Sequence, residues 1–195
     1  MTNNKLLSKD TLISIDVETT GLVAGSYSMI ELGAVAYRNG VEIDHFYGAL
    51  KEVPGLACSE GTMDFWRKNL KRWKEIRTAA EDPAIVMQRF YEWAINLPQP
   101  RTLFADPAPF DSSFLFWNLN EFCGEDAVND LFKRHRALDI RTARSLIYGE
   151  PYSAAERSLV PESFAEGLVI THNALEDARE QGVSFINLLK MVGEE

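Results

Sequence analysis

The first strong pattern along the chain is an alternation of apolar and polar residues, which predicts a β-strand near the N-terminus. In an extended backbone, successive side chains point to opposite faces. One face of this segment carries Ile13, Ile15 and Val17. The other face carries Leu12, Ser14, Asp16 and Glu18. Two carboxylates therefore lie side by side at the end of the predicted strand.

A β-hairpin is predicted directly after this strand. Two largely apolar segments, residues 29–37 and 41–50, flank the pair Asn39 and Gly40. An Asn-Gly pair between two such segments favours a tight turn of two residues. Together with the first strand, the hairpin predicts three antiparallel strands at the start of the fold.

Helical and β-like segments alternate along the rest of the chain. Apolar residues recur at helical spacing from residue 62 to about residue 96, and Glu81-Asp82-Pro83 predicts the start of a second helix there. The short apolar segment 101–105 predicts a strand, and a helix is expected to begin near Phe110. Asp111 is thereby placed at a junction between a strand and a helix.

A last strand and two more helices are predicted in the C-terminal third. Residues 137–140 are typical of a short strand and residues 142–148 of a helix, whereas residues 150–168 show no regular pattern. The apolar face of residues 174–192 predicts a long C-terminal helix, with Asn173 as its N-cap.

The order of these segments predicts the fold class. We expect an α/β fold with a central mixed five-stranded sheet flanked by helices, in which three antiparallel strands are followed by alternating helices and strands. The 195 residues, 46% hydrophobic and 25% charged, are typical of one globular domain. We therefore expect residues 1–195 to form a single domain.

The sequence contains no signal for secretion, membrane insertion or a zinc site. The first ten residues lack an apolar core, and no segment approaches the ~18 uninterrupted apolar residues of a membrane span. Cys58 and Cys123 are the two cysteines, and neither lies near another cysteine or a histidine at ligand spacing. These features predict a cytoplasmic protein with reduced thiols and no membrane contact.

The net charge of −9 argues against nucleic-acid binding through a broadly basic surface. Residues 67–77 are an exception, because this run holds six basic residues and one acidic residue around Trp73. Such a run is typical either of a solvated helix face or of a surface that contacts phosphates. The sequence leaves both interpretations open.

Five residues are candidates for a common site. Asp16 and Glu18 end the first strand, Asp111 begins a helix, His172 precedes the last helix, and Asp177 lies one turn into it. Converging carboxylates suit Mg²⁺, which prefers oxygen ligands. The Thr-Thr-Gly segment that follows Glu18 ends the strand in a turn, where we expect free backbone N–H groups that suit a phosphodiester.

Three motifs give the chain a resemblance to a known family. Residues 16–22 (DVETTGL), 110–115 (FDSSFL) and 172–177 (HNALED) resemble, in order, the motifs of DEDDh 3′→5′ exonucleases in the ribonuclease H-like superfamily. Residues 62–66 and 73–76 are also similar to the phage exonuclease A subgroup. The resemblance spans the whole predicted domain.

The resemblance implies a two-metal mechanism with two Mg²⁺ or Mn²⁺ ions. Asp16 would bridge both cations, Glu18 and Asp177 would hold the first, and Asp111 would help to hold the second through water. His172 would act as the general base, a role that suits an imidazole titrating near neutral pH. The expected substrate is single-stranded DNA or RNA with a free 3′ end, and the expected products are 5′-mononucleotides.

The resemblance further implies that Thr20, Gly21 and Leu22 bind the substrate, with Leu22 wedged against the last bases. One departure from the family concerns Asp106, near which many relatives carry an Asn or His that precedes the second Asp. Some relatives are homodimers that share basic residues between active sites, and residues 67–77 would suit that role too.

Two other functions remain open at this point. One is a catalytically silent nucleic-acid-binding module of the same fold, and the other is an endonuclease of the ribonuclease H type. All five catalytic positions are occupied, which favours an active enzyme over the silent module. The HNALED motif and the Leu22 wedge favour attack at a chain end over internal cleavage.

Overall fold

The computed structural model, which describes residues 5–133 and 135–192, contains a mixed five-stranded sheet. Its strands are β1 (Thr11–Thr19), β2 (Met29–Arg38), β3 (Val41–Ala49), β4 (Arg101–Ala105) and β5 (Ala137–Asp139). Their order is β3-β2-β1-β4-β5; β1, β2 and β3 are antiparallel neighbours, whereas β4 is parallel to β1 and to β5. The predicted sheet is confirmed. The expected domain of residues 1–195 extends beyond the described residues at both ends.

Helices cover both faces of this sheet. In chain order they are α1 (Lys5–Lys9), α2 (Glu60–Lys68), α3 (Leu70–Ala79), α4 (Pro83–Asn96), α5 (Ala108–Cys123), α6 (Ala127–Leu131), α7 (Ile140–Tyr148) and α8 (Ala174–Val192). Among the described residues, no helix is both long and apolar enough to cross a bilayer.

The region predicted as two helices between residues 62 and 96 contains three. Asn69 separates α2 from α3, because its backbone (φ −110°, ψ 41°) leaves the helical conformation. Its side-chain amide donates to the carbonyl of Phe65 at 3.0 Å, which stabilises the break. Neither glycine nor proline occurs at this position, so the break was not predictable from the residue pattern. The segment 150–168, expected to be irregular, contains three short 3₁₀ turns.

The two faces of β1 lie in different hydrophobic clusters, as the alternation predicts. Ile13, Ile15 and Val17 belong to the cluster formed with α4 and α5. Leu12, on the opposite face, belongs to the cluster formed with α8. The carboxylates of this second face therefore point toward α8.

The parallel pairing of β1 with β4 extends only as far as Ser14 and Phe104. Beyond Ser14 the two strands separate at the C-terminal end of β1. In open α/β sheets, such a crevice at the carboxyl ends of strands is the usual place for a ligand site.

Gly33 on β2 sets how closely α8 approaches the sheet. A Cβ atom at this position would lie 2.1 Å from the carbonyl carbon and oxygen of Ala174. The first turn of α8 therefore packs directly on the backbone of β2, which no larger residue would permit. This close packing brings Asp177 near β1.

Candidate active site

Asp16 and Glu18 lie on one face of β1, as the sequence predicts, and the structure packs that face against α8. In the register of β1 with β2, Asp16 pairs with Gly33 and Glu18 pairs with Glu31. Paired residues of neighbouring strands project to the same face. A third carboxylate, that of Glu31, therefore lies beside the two predicted ones.

Asp111 reaches the site from the first turn of α5, where its side chain is buried. Its Oδ1 accepts a hydrogen bond from the backbone N–H of Val17 at 3.1 Å. This N–H is available because the pairing with β4 has ended at Ser14. The separation of the two strands thus makes room for a carboxylate from α5.

Asp177 is held by the loop that precedes α8. Its Oδ1 accepts the backbone N–H of Thr171 at 2.7 Å, and its Oδ2 accepts that of His172 at 2.9 Å. The side chain of Asn173 accepts the N–H groups of Leu175 and Glu176, so the predicted N-cap is confirmed. The carboxylate of Asp177 is thereby fixed against the same loop that carries His172.

His172 lies at the mouth of the site with its side chain 44% exposed, and its Nδ1 is 3.9 Å from Glu18 Oε1. One ligand atom from each of Glu18, His172 and Asp177 lies within 4.8 Å of the others. The backbone φ of His172 is 57°. This value is in the left-handed region, which is uncommon for a residue with a side chain. The five predicted residues thus converge from β1, α5 and the start of α8.

The carboxylates raise one another's pKa values. Burial, followed by repulsion from Asp111 and Glu18, raises the pKa of Asp16 well above its ordinary value. Burial, followed by repulsion from Glu31, raises the pKa of Glu18 to about 8. Burial also raises the pKa of Asp111, although the N–H of Val17 opposes that shift. Such a cluster fits divalent cations, because they neutralise the repulsion and prefer carboxylate oxygens.

A cavity of about 390 Å³ opens beside Glu18. Its lining includes Leu22, Phe65 and Phe110. Leu22 is 72% exposed, so its apolar side chain is free to contact a bound molecule. An apolar and aromatic cavity next to a carboxylate cluster suits a nucleotide whose base stacks and whose phosphate reaches the cations.

Two curated relatives are similar to the chain along its sequence, although no protein-family model matches it. The 3′-5′ DNA exonuclease Cap18 of Escherichia coli is 26% identical over 197 residues, which cover 91% of this chain and 90% of Cap18. DNA polymerase III PolC-type of Oceanobacillus iheyensis is 32% identical over 123 residues, or 63% of this chain and 8% of that polymerase.

Solved structures share the fold. The nuclease domain of 3′hExo, a DEDDh family member bound to rAMP, superposes with a TM-score of 0.70 at 14% identity, covering 95% of this chain and 94% of that one. Pop2p of S. pombe, with bound Mg²⁺ and Mn²⁺, gives 0.69 at 12% identity over 91% and 82% of the two chains. Exonuclease I of E. coli with a dA16 oligonucleotide gives 0.66 at 14% identity over 96% and 41%.

The chain is similar in sequence to a 3′-5′ DNA exonuclease and shares the fold of a DEDDh family member. Its sequence match to Cap18 runs almost end to end, and its sheet is that of a DEDDh nuclease domain. The five positions that the resemblance to DEDDh exonucleases implies are occupied here by Asp16, Glu18, Asp111, His172 and Asp177. The individual roles of these residues stay predictions, as does the resemblance to the phage exonuclease A subgroup.

Glu31 lies in this carboxylate cluster, and the sequence analysis missed it. Its side chain is fully buried (0% exposed) and forms a two-pronged ion pair with Arg72, at 2.6 and 2.7 Å. Tyr47 donates its hydroxyl to the same carboxylate at 2.5 Å. One signal for it was present, because a single carboxylate interrupts the apolar start of β2 between Ile30 and Leu32.

The basic run of residues 67–77 divides into an internal and an external part. Arg72 is 18% exposed and points inward to Glu31. Arg67 and Arg77 instead form ion pairs with Asp64 and Glu52 at the surface. Arg72 is therefore committed to Glu31, so only the outer side chains of this run remain accessible to a phosphate.

In the turn after Glu18, backbone groups that the sequence analysis expected to be free form hydrogen bonds within the protein. The backbone N–H of Thr20 donates to the Ser28 carbonyl at 2.9 Å, and its hydroxyl accepts the Ser28 N–H at 2.9 Å. A Cβ at Gly21 would lie 2.2 Å from the ring of Tyr27, so packing alone requires glycine there. The binding of substrate by Thr20, Gly21 and Leu22 stays a prediction, and exposure favours Leu22.

Asp106 lies where the sequence departs from the motif of the DEDDh exonucleases, and its carboxylate forms an ion pair within the protein. Both of its carboxylate oxygens accept hydrogen bonds from Arg144 on α7, at 2.6 and 2.8 Å. Arg144 also donates to the carbonyl of Ala155 at 3.0 Å. The pair therefore fastens the segment that follows β4 to α7 and to the 3₁₀ turns.

Proposed function

We propose that this chain hydrolyses single-stranded DNA from its 3′ end and releases 5′-mononucleotides. The observation that carries the proposal is the convergence of four family carboxylates and His172 at the C-terminal end of β1, beside an apolar cavity. The choice of DNA over RNA is supported by the similarity to a 3′-5′ DNA exonuclease over nearly the whole chain. Exonuclease I, which shares the fold, was solved with a DNA oligonucleotide.

The residues present fit two divalent cations. Asp16, Glu18, Asp111 and Asp177 would hold two Mg²⁺ or Mn²⁺ ions, which supply charge stabilisation at the phosphate and an acidified water. The raised pKa values of Asp16 and Glu18 support this assignment, because the carboxylates are close enough to repel one another strongly.

The protein's own side chains would do the remaining work. His172 accepts a proton from the attacking water as the bond from oxygen to phosphorus forms. The bond from phosphorus to the O3′ atom of the preceding nucleotide breaks, that oxygen takes a proton from solvent water, and His172 later returns its proton to solvent. Leu22 and Phe65 hold the terminal base in the cavity, and contact with apolar side chains is indifferent to base identity.

The test is a cleavage assay on 5′-labelled single-stranded DNA and RNA of matched sequence, with Mg²⁺, with Mn²⁺ or with chelator. The expected result is a ladder that shortens from the 3′ end, requires metal, and forms faster on DNA. Glu18→Gln should abolish it, whereas Glu125→Gln, at an exposed carboxylate between α5 and α6, should not.

The alternatives give different products in the same assay. Internal fragments from a substrate with a blocked 3′ end would indicate an endonuclease of the ribonuclease H type. Binding of both substrates without cleavage, in protein shown to bind Mn²⁺, would indicate a silent binding module. Equal or faster cleavage of RNA would contradict the DNA preference.

A further inference from the structure

Arg72 connects α3 to the loop that carries His172. We propose that Arg72, held in place by Glu31, is a positioning residue that fixes the backbone of His172 so that the imidazole faces the metal site. The inference rests on the proposed function, in which His172 is the general base. It adds two residues, Glu31 and Arg72, to the machinery of the DEDDh site.

Arg72 donates hydrogen bonds both to Glu31 and to the loop that carries His172. Its Nη2 donates to both carboxylate oxygens of Glu31, at 2.6 and 2.7 Å. Its Nε donates to the backbone carbonyl of His172 at 2.9 Å. Glu31 in turn accepts the backbone N–H of Ala174 at 3.3 Å. The pair therefore holds the loop on both sides of Asn173.

The conformation of His172 explains why such a hold is needed. Its φ of 57° lies in the left-handed region, which residues with side chains adopt at a cost in free energy. The N–H of His172 is held by Asp177 and its carbonyl by Arg72. With both backbone polar groups fixed, the loop cannot relax to an ordinary conformation without breaking a charge-assisted hydrogen bond.

The imidazole ring itself is supported from α2. Phe65 packs edge-to-face against His172, with ring centroids 4.9 Å apart. Helices α2 and α3 thus meet His172 at two points, the ring through Phe65 and the carbonyl through Arg72. The aromatic contact acts on the ring, whereas the hydrogen bond acts on the backbone from which the ring projects.

The geometry requires arginine and not merely a positive charge. A planar guanidinium can present Nη2 to a carboxylate and Nε to a carbonyl in fixed directions, and the single ammonium of lysine cannot. The substitution Arg72→Lys therefore keeps the charge beside Glu31 and Glu18 and removes the donor to His172. It separates positioning from electrostatics.

The test is a double-mutant cycle between Arg72 and His172, measured by the steady-state kinetics of cleavage of 5′-labelled DNA. Asn replaces His172 because Asn tolerates the left-handed conformation and lacks a base. Arg72→Lys should lower kcat about tenfold or more with KM changed less than about threefold. In the His172→Asn background the same change should lower kcat less than about threefold. Arg89→Lys, in a surface ion pair with Glu81, is the matched control.

Two kinetic results would overturn the inference. One is the same fold loss from Arg72→Lys with and without His172, which would mean that Arg72 acts independently of the base. The other is a rise in KM with kcat unchanged, which would mean that Arg72 binds substrate. Glu31→Gln, which keeps the size of the side chain, should repeat the pattern of Arg72→Lys, and wild-type kcat in this variant would contradict the role of Glu31.

A second measurement does not depend on activity. The chain has three histidines, so the imidazole Cε1–H region of a ¹H–¹³C NMR spectrum gives three signals, and His172→Asn identifies one of them. Arg72→Lys should shift or broaden the His172 signal and leave those of His45 and His135 in place. An unchanged His172 signal would overturn the inference. A shifted signal in a wild-type protein that cleaves nothing would overturn the proposed function and keep the structural link.

Discussion

Removing divalent cations should make the stability of this protein fall as pH rises. The reason is the carboxylate cluster, in which burial and neighbouring charge raise the pKa of Glu18 to about 8. A carboxyl group whose pKa is higher in the folded state than in the unfolded state favours folding while it is protonated. Its contribution is complete below about pH 4.5 and is lost as pH rises toward 8.

The size of the effect follows from the pKa of Glu18 alone. Each pH unit between the ordinary value of 4.5 and about 8 is equivalent to about 1.4 kcal/mol. The ionised group therefore costs about 5 kcal/mol above pH 8, against a typical free energy of unfolding of about 5–15 kcal/mol. In a domain of this size, 1 kcal/mol corresponds to about 2–4 °C in Tm, so Tm should fall by about 10–20 °C.

The assay is thermal unfolding followed by circular dichroism between pH 5.5 and 8.5, in chelator and in excess Mg²⁺ or Mn²⁺. In chelator, Tm should fall steadily with pH, because Asp16 and Asp111 add to the effect of Glu18. The cations should flatten the curve, and their stabilisation should be largest at pH 8.5. Binding there requires little proton release, and the repulsion that it relieves is greatest.

Glu18→Gln is the control for this prediction. It removes one ionisable group and should reduce the slope of Tm against pH in chelator. A wild-type Tm that stays constant or rises from pH 5.5 to 8.5 in chelator would refute the reasoning. An unchanged slope in Glu18→Gln would show that this carboxylate is not the source of the effect.

Three further changes have distinct expected outcomes. Asp111→Asn should lower kcat at least about 100-fold while raising Tm in chelator, since it removes a buried charge; a lower Tm would contradict this. Gly33→Ala should push α8 away from β2 and cost about 1–3 kcal/mol, measured by urea unfolding, with weaker Mn²⁺ binding by calorimetry; unchanged Mn²⁺ affinity would contradict it. Leu22→Ala should leave Tm within about 2 °C and raise KM for DNA several-fold; an unchanged KM would argue against contact with substrate.

The parts of the site that sequence reasoning found are those encoded by local pattern. Alternation along β1 placed Asp16 and Glu18 on one face, and the Asn173 cap fixed the start of α8. Both signals involve residues within a few positions of each other, where backbone geometry dictates the arrangement.

The parts that it missed depend on contacts between distant segments. Glu31 and Arg72 are 41 positions apart, and periodicity placed Arg72 on a basic helix face without showing that it turns inward. The break at Asn69 relies on a side-chain hydrogen bond instead of a glycine or proline. The hydrogen bonds of Thr20 likewise depend on Ser28, which the fold brings next to Thr20. The residue pattern does not predict this proximity.

The contact between Gly33 and the first turn of α8 affects how well this fold tolerates amino-acid substitutions. Main-chain atoms on both sides set the separation between helix and strand, and side-chain substitutions elsewhere do not alter the size of a peptide group. The separation between β2 and the first turn of α8, next to the proposed cation site, is therefore set by main-chain atoms that every amino acid shares. A spacing set by the main chain tolerates substitution of most interior side chains, and a chain only 14% identical to this one still has the same fold.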